Sequence, residues 1–268
     1  MSVQTKEKNI KEIFSGTPYY IDFYQREYKW KRSHVKDLLD DVFHRFEADY
    51  DPKLDATEAT IDSKYQWYYM NSYMTNNYKG KIYIVDGQQR LTTLTLILIK
   101  LIHLSKKLGP TIITKVLEDK VYGADISGNT YWMGQSGRDK VLEDLLSNRV
   151  SFASPSNITE INMYGNYNEI SGYLDDKLKN SHIFQCFVVY FLKKILLVNI
   201  HIIDTTDVPM VFEVINDRGE KLRPYEVFKG QLFGQLDKNE IEQIYNPLWK
   251  QSIEPLEARG DAKDTLLL

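Results

Sequence analysis

The stretch Ile82–Leu94 (IYIVDGQQRLTTL) contains the change of secondary structure that decides the fold. Its first four residues are β-branched or aromatic and predict a strand, and Asp86-Gly87 predicts the turn that ends it. Over Leu91–Leu108 the apolar residues lie on nearly every side of a helical projection, which predicts a buried helix. Lys106-Lys107 and Gly109-Pro110 predict the C-terminal end of this helix.

The residues before this stretch predict a partner strand and an amphipathic helix. Over Tyr65–Met74 the alternating residues Tyr65, Trp67, Tyr69, Asn71 and Tyr73 share one face and are aromatic except for Asn71. With the turn chemistry of Lys79-Gly80, this pattern predicts a β-hairpin. Ser33 is predicted to be the N-cap of a helix whose apolar positions recur at helical spacing over Val35–Phe46. The polar, acidic residues 50–63 are predicted to form a loop.

The residues after the stretch predict further helices and one more strand. Lys140–Leu146 has helical periodicity, whereas Asn157–Gly172 is rich in Asn, Tyr and Gly and is interpreted as loop. A buried helix is predicted at Ser181–Leu192 and a strand at Leu196–Ile203. Asp207 is predicted to cap the short helix that follows.

The predicted fold class is α+β, with a small mixed sheet, a helical insertion and C-terminal helices. Residues 1–109 are expected to form most of the core and residues 110–194 the insertion. Residues 195–236 are expected to complete the core, and residues 237–268 to form a C-terminal helical segment. Because the chain ends at Leu266-Leu267-Leu268 without a clear stop signal, we expect it to be part of a longer protein.

Composition excludes several classes of protein. The net charge of −3 argues against strong autonomous DNA binding, because proteins that hold DNA by its phosphates usually carry a basic excess. The single cysteine, Cys186, excludes an intrachain disulfide and a cysteine zinc site. With a polar N-terminus and no apolar stretch long enough to span a bilayer, the expected location is the cytoplasm, without a membrane partner.

The turn after the strand has the chemistry of an anion site. Backbone N–H groups at a helix N-terminus attract phosphates, Gly87 permits a close approach, and Arg90 offers a fork of donors. Asp86 would repel a bare phosphate, so the residues favour a nucleotide bound with Mg²⁺, for which Asp86 is the candidate metal ligand. Gln88 and Gln89 are candidates for orienting an attacking water.

The same residues allow a purely structural interpretation, in which Asp86 caps the helix and Arg90 forms an ion pair. Thr92 and Thr93 are likewise candidates either for nucleotide binding or for capping. No Walker A sequence occurs in the chain. Spacing alone therefore leaves phosphate binding and a structural turn both open.

Three segments resemble the N-terminal domain family of GmrSD-type, modification-dependent restriction enzymes. Asp86–Leu94 (DGQQRLTTL) resembles the family signature. Asp22–Trp30 (DFYQREYKW) is similar to a Phe-Gln-Arg-x-Tyr-x-Trp element, with Tyr24 in place of Phe, and Phe212–Leu222 (FEVINDRGEKL) is similar to a third element. They occur in family order over roughly residues 19–233.

This resemblance implies a ParB/sulfiredoxin-like core that binds and hydrolyses nucleoside triphosphates and controls a nuclease of the His-Asn-His type, in the same chain or in a partner. It implies a central nucleotide site at Asp86, Gly87, Gln88, Gln89 and Arg90. Supporting site residues on the matching segments are Gln25, Arg26, Asn216, Arg218, Gly219 and Lys229. The chain is expected to contact DNA as part of the assembled restriction system, and assembly as a homo-oligomer is left open.

Alternatives remain open for the outer segments. Tyr28 and Trp30 are either core anchors or residues that stack on a base. Asn216–Gly219 is either part of the site or a helix C-cap. For the whole chain, the alternative to an Mg²⁺-dependent NTPase is a regulatory module that binds a nucleotide or DNA without hydrolysis.

Histidine placement predicts that these 268 residues do not cleave DNA by themselves. None of the five histidines pairs with Asp, Asn or another His at the spacing of a nuclease motif. His103 lies in the predicted buried helix and His201 in a predicted strand, so both are expected to be packed rather than catalytic.

Overall fold

The computed structural model describes residues 2–21, 27–126, 128–134, 137–149 and 155–208, together with 210–211, 228–229, 232–233, 236, 240–249 and 251–252. The strands are β1 (Val3–Asn9), β2 (Tyr19–Ile21), β3 (Tyr68–Tyr78), β4 (Lys81–Asp86), β5 (Tyr122–Asp125), β6 (Gly128–Tyr131) and β7 (Ile195–Ile202). The α-helices are α1 (Ile10–Ile13), α2 (Arg32–Asp49), α3 (Glu58–Lys64), α4 (Gln88–Leu108), α5 (Thr111–Glu118), α6 (Asp139–Leu146), α7 (Ile158–Lys177) and α8 (Ser181–Lys194).

Five strands form one mixed sheet in the order β1-β7-β3-β4-β2. The pairs β1–β7 and β3–β4 are antiparallel, whereas β7–β3 and β4–β2 are parallel. The hairpin predicted around Lys79-Gly80 is confirmed, and both turn residues have positive φ. The α+β class with a mixed sheet is therefore confirmed.

Strand β3 contains a β-bulge that the sequence pattern did not predict. Its pairing with β7 runs from Tyr69 opposite Leu196 to Ser72 opposite Val198, so β3 has one extra residue there. Asn71 lies in the extra stretch with a φ of 91°. Because the bulge changes which residues share a face, the expected common face is wrong: Tyr69 is 60% exposed and Tyr73 is fully buried.

Helix α4 runs through the centre of the molecule. Its last residue, Leu108, is the predicted one, but it begins at Gln88, three residues before the predicted start. Leu94, Leu96, Leu98 and Leu101 have no exposed surface, as expected for a helix that is apolar on most sides. The helix therefore connects the β4 turn directly to the core.

The region 110–194 contains more regular structure than expected. Helices α6 and α8 confirm the predicted ones, but the predicted loop at Asn157–Gly172 is wrong, because α7 occupies it. Asn157 caps this helix by accepting a hydrogen bond from the backbone N–H of Glu160. Packing of buried residues outweighs the low helix propensity of Asn and Gly. These residues are Met163, Tyr167, Ile170 and Leu174.

Three helix starts also differ from the sequence predictions. The N-cap of α2 is Lys31 rather than Ser33, and the Lys31 backbone N–H donates to His34 Nδ1. The predicted loop at 50–63 contains the start of α3, which Thr57 caps. The cap of the short helical turn after β7 is Asp204 rather than Asp207. In each case a neighbouring polar side chain supplies the capping contact, and propensity alone does not choose between neighbours.

The main hydrophobic cluster includes residues of the sheet, α4 and the helices of region 110–194. A smaller cluster consists of Val85 on β4, Ile202 on β7, and Val208 and Val211 after β7, and Met74 of β3 packs against it. The proposed division of the chain at residues 109 and 194 stays a prediction. Over the described ranges, no helix is both long and apolar enough to cross a bilayer.

Candidate functional site

The turn between β4 and α4 depends on a glycine. Gly87 adopts a φ of 91° and a ψ of 6°, the left-handed conformation that glycine adopts without a Cβ penalty. A Cβ at this position would lie 2.7 Å from Tyr73 Cβ on the neighbouring strand. Gly87 is thus required both for the backbone conformation and for the close packing of α4 against β3.

Arg90 is held against the β3 bulge. Its Nη1 donates a hydrogen bond of 2.6 Å to the backbone oxygen of Ser72, next to Asn71. Burial lowers the pKa of Arg90, and the nearby Asp86 carboxylate opposes that shift. The bulge and the first turn of α4 together fix this guanidinium, half-buried, near Asp86.

The structural alternative for Asp86 and Arg90 is not observed. The N-cap residue of α4 is Gly87, which has no side chain with which to cap the first-turn N–H groups. In the part of the chain that the structure describes, Asp86 and Arg90 form no ion pair within 4.0 Å, and Ser72 is the hydrogen-bond partner of Arg90. The same part contains no cluster of three or more His, Cys, Asp or Glu side chains placed to hold a metal ion.

Gln89 binds the backbone of the segment Glu27–Trp30. Its Oε1 accepts hydrogen bonds from the N–H groups of Lys29 (2.8 Å) and Trp30 (3.1 Å). Its Nε2 donates to the backbone oxygen of Glu27 at 2.7 Å. In this conformation both ends of the Gln89 amide are occupied by the chain itself, so Gln89 fixes the first family-like segment onto α4.

Thr93 and Tyr28 extend this attachment into the core. Thr93 Oγ1 donates to the backbone oxygen of Gln89 at 2.9 Å and lies 2.8 Å from the Tyr28 hydroxyl. Asn166 of α7 donates to that hydroxyl and to the backbone oxygen of Trp30. Both Thr93 and Tyr28 have no exposed surface. Of the two interpretations of Tyr28, the structure therefore supports the core anchor.

The sequence analysis did not predict one residue that binds side chains at the start of α4. Arg138, at the start of α6, donates from Nη2 to Gln88 Oε1 (3.0 Å) and from Nη1 to Thr92 Oγ1 (3.2 Å). Its side chain is 4% exposed, and Gln88 and Thr92 are buried as well. Nothing in the residues around Arg138 indicates this position, because the contact joins parts of the chain that are 50 residues apart.

Of the other predicted site residues, the structure describes Lys229. The Lys229 ammonium lies 5.4 Å from the ring centroid of Phe233 and 5.9 Å from that of Trp249. Gln25, Arg26, Asn216, Arg218 and Gly219 lie outside the described residues. The structure thus brings together Asp86, Gly87, Gln88, Gln89, Arg90, Thr92 and Thr93, and adds Arg138.

The two histidines expected to be packed are held by hydrogen bonds. His103 Nε2 donates to the backbone oxygen of Leu146 at 3.0 Å, and its Nδ1 lies 2.7 Å from the Tyr167 hydroxyl. His201 Nδ1 lies 3.2 Å from Thr75 Oγ1. All three contacts join elements of the fold.

Comparison with known families assigns the region that contains this site. The model of the family described as GmrSD restriction endonuclease, N-terminal domain, matches residues 7–233. That range includes all three segments on which the sequence resemblance rests. No curated protein matches the chain significantly.

Proposed function

Because the chain belongs to the GmrSD restriction endonuclease N-terminal domain family, and so is a component of a restriction system, we propose that it binds and hydrolyses a nucleoside triphosphate. In this proposal the nucleotide controls a His-Asn-His-type nuclease domain or subunit, and the chain contacts DNA as part of the assembled system. The proposal extends to phage defence, which restriction of foreign DNA serves.

One observation carries the proposal: the geometry of the Gly87 turn. The left-handed glycine directs β4 straight into a long buried helix, and as the N-cap residue it has no side chain that could cap the first-turn N–H groups. Such groups, with the positive end of the helix dipole, bind anions. Arg90 is fixed beside them by Ser72 and adds a guanidinium suited to phosphate oxygens.

Asp86 supplies what a magnesium–nucleotide complex needs from the protein. Mg²⁺ is commonly held by one or two carboxylates, with phosphate oxygens and water in its other positions. Asp86 is partly exposed at the end of β4, on the same turn as the candidate phosphate site. When bound, Mg²⁺ would neutralise phosphate charge and so permit a carboxylate beside the triphosphate.

The hydrogen bonds give different roles to the residues that were candidates for orienting the attacking water. Hydrolysis forms a bond from a water oxygen to the terminal phosphorus and breaks the phosphoanhydride bond, so the nucleoside diphosphate leaves. The released phosphate keeps one proton of the water, and the other passes to solvent. Gln89 is occupied by the backbone of Lys29 and Trp30, so its role in the proposal is to hold that segment. Orientation of the water is left to Asp86 or to Gln88, whose Oε1 accepts a hydrogen bond from Arg138 in this conformation.

Thermal unfolding with each of the four NTPs, with and without Mg²⁺, tests the proposal. A ligand at a hundred times its dissociation constant stabilises the folded state by about 2.7 kcal/mol, which gives a shift of several degrees. We expect a Mg²⁺-dependent shift and phosphate release for the natural chain, and neither for Arg90→Ala.

Arg149→Ala is the matched control, because it also removes an arginine, but an exposed one. We expect it to keep the shift. A shift and turnover that persist in Arg90→Ala would contradict the assignment of this site, and the absence of any shift with the natural chain would contradict nucleotide binding.

A second candidate function is regulatory binding without hydrolysis, and an aromatic surface on and beside β3 favours it. Trp67 is 55% exposed and Tyr69 is 60% exposed. Exposed aromatic rings suit stacking on single-stranded nucleic acid.

Titration with a single-stranded oligonucleotide distinguishes this candidate. Trp67→Ala and Tyr69→Ala should weaken oligonucleotide binding and leave the NTP shift unchanged. Equal binding by both variants and the natural chain would exclude this surface.

A further inference from the structure

Among the residues that the structure describes, Arg138 is a buried cation without a buried anion to match it. Its side chain is 4% exposed, and its hydrogen bonds go to neutral acceptors, Gln88 Oε1 and Thr92 Oγ1. Over the described ranges, no carboxylate lies within 4.0 Å of its guanidinium. Buried arginines are normally paired, because removing an unpaired charge from water is costly.

The charge state of Arg138 makes this arrangement costly at neutral pH. Burial lowers the pKa of Arg138 to about 10, and Tyr28 and Glu27 oppose that shift. The guanidinium is therefore still protonated at pH 7, so the protein retains a full positive charge at this position rather than avoiding it by deprotonation.

The position of this charge is also unfavourable for the helix. Gln88 and Thr92 are one turn apart at the start of α4, so Arg138 lies along the first turn, where the helix dipole contributes a partial positive charge. Arg90 adds a second guanidinium to the same turn. A cation stabilises the C-terminal end of a helix, not this one.

We propose that Arg138 is a positioning residue of the phosphate site, whose buried charge is balanced when the triphosphate of a nucleotide occupies the N-terminus of α4. This inference rests on the proposed function and deepens it, since it assigns part of the site to the helical region 110–194. Arg138 acts through its charge and through Gln88, whose amide oxygen it holds.

The proposal differs from a structural role in what neutralisation of Arg138 does to phosphate affinity. If Arg138 only joins α6 to α4, Arg138→Met should destabilise the protein and leave phosphate affinity alone. If its charge serves a ligand, the folded variant should also lose phosphate affinity, beyond the stability lost with the hydrogen bonds to Gln88 and Thr92. Affinity for the triphosphate should then fall by about tenfold or more.

The probe is inorganic triphosphate with Mg²⁺, which reports on the phosphate site without a base. Thermal unfolding at fixed ionic strength is measured for the natural chain, Arg138→Met, Arg138→Lys and Arg149→Met. Arg149→Met removes an exposed arginine that lies near Glu143, so its triphosphate affinity should stay within about threefold of the natural value. Arg138→Lys keeps the charge and loses the fork, and should recover part of the affinity.

Each outcome decides between the two roles. The proposal is supported if Arg138→Met folds and binds triphosphate at least tenfold more weakly than the natural chain. It is also supported if Arg138→Met does not fold and Arg138→Lys folds but binds triphosphate more weakly. Natural affinity in either folded variant, or failure of both to fold, overturns it. If the natural chain shows no thermal shift with triphosphate or with any NTP, the proposed function fails together with the role of Arg138. If the natural chain shows the shift and Arg138→Met keeps it, the role of Arg138 fails and the proposed function stands.

Discussion

The two parts of α4 are equally buried and chemically opposite. In the first turn and a half most of the buried side chains are polar: Gln88, Gln89, Thr92 and Thr93 are at most 8% exposed, and Leu91 is the apolar exception. From Leu96 to Ile102 the buried residues are mainly aliphatic, and Leu98 and Ile99 have no exposed surface. Burial in the second part stabilises the fold directly, whereas burial in the first part is tolerated only because the polar atoms are hydrogen-bonded.

This difference separates positioning from stability within one helix. The polar turn holds the segment Glu27–Trp30 through Gln89 and holds Arg138 through Gln88 and Thr92. Substitutions in the two parts should therefore affect different measurements.

Leu98→Ala should have the largest effect on stability. Removal of a fully buried leucine side chain costs about 2–5 kcal/mol, because transfer free energy is lost and a cavity remains. Urea denaturation measures this loss, and the NTP-induced shift of the remaining folded protein should be unchanged. A loss below about 1 kcal/mol would mean that the core collapses around the site, and would weaken the contrast between the two parts.

Gly87→Ala should affect both stability and ligand binding. The new Cβ would meet Tyr73 at 2.7 Å in a backbone conformation that alanine adopts poorly, at a combined cost of about 1–3 kcal/mol. Because the turn must shift to relieve the contact, the NTP-induced thermal shift should also be lost.

Gly80→Ala is the matched control for that variant. Gly80 has a φ of 78° and open space where the alanine Cβ would lie, so the substitution carries the conformational cost without the clash. It should be milder and should keep the NTP-induced shift. Equal losses in the two variants would show that contact with Tyr73 does not matter.

Gln89→Met should undock the segment Glu27–Trp30. It leaves two backbone N–H groups and one carbonyl without their side-chain partner, at a cost of about 1–3 kcal/mol. Hydrogen exchange at the Lys29 and Trp30 amides should accelerate more than exchange in the middle of α4. Gln185→Met, which removes one hydrogen bond to Ser181, is the control. Unchanged exchange at Lys29 and Trp30 would mean that Tyr28 and Asn166 suffice to anchor the segment.

The elements predicted correctly from sequence are those whose signal is local. The β3–β4 hairpin follows from Lys79-Gly80, and the end of α4 follows from Gly109-Pro110. Helix α8 follows from its apolar content. In each case, a short stretch of chain contains both the periodicity and the residues that end it.

The features that sequence did not predict depend on distant contacts. Helix α7 forms in a stretch of poor helix formers because its buried side chains pack on α2 and α4. The bulge at Asn71 shifts the faces of β3 by one residue, which alternation alone does not reveal. Arg138 reaches α4 from a loop without any recognisable pattern. At the site, the motif identified the turn, but the division of roles between Gln88 and Gln89 required the three-dimensional contacts.

Of the substitutions considered, one at His103 should change stability least. It tests the second part of α4 through a polar side chain. Burial lowers the pKa of His103, and Lys106, Lys100 and Lys107 add to that shift, while the hydrogen bond to Leu146 opposes it. The unfolded chain therefore takes up a proton near the ordinary value of about 6.5, where folded His103 stays neutral. The stability that neutral His103 contributes is present above that pH and is lost as the pH falls below it.

Comparison of His103→Gln with the natural chain isolates this contribution, because glutamine keeps a donor for the Leu146 carbonyl without titrating. Urea denaturation at a series of pH values should show a smaller decline in the variant as the pH falls from about 6.5. The NTP-induced shift at pH 7.5 should be the same in both proteins, since His103 lies about four turns along α4 from Gln88. A reduced shift in the variant would mean that the two parts of α4 are coupled, and that the packing around Tyr167 contributes to the site as well as to the fold.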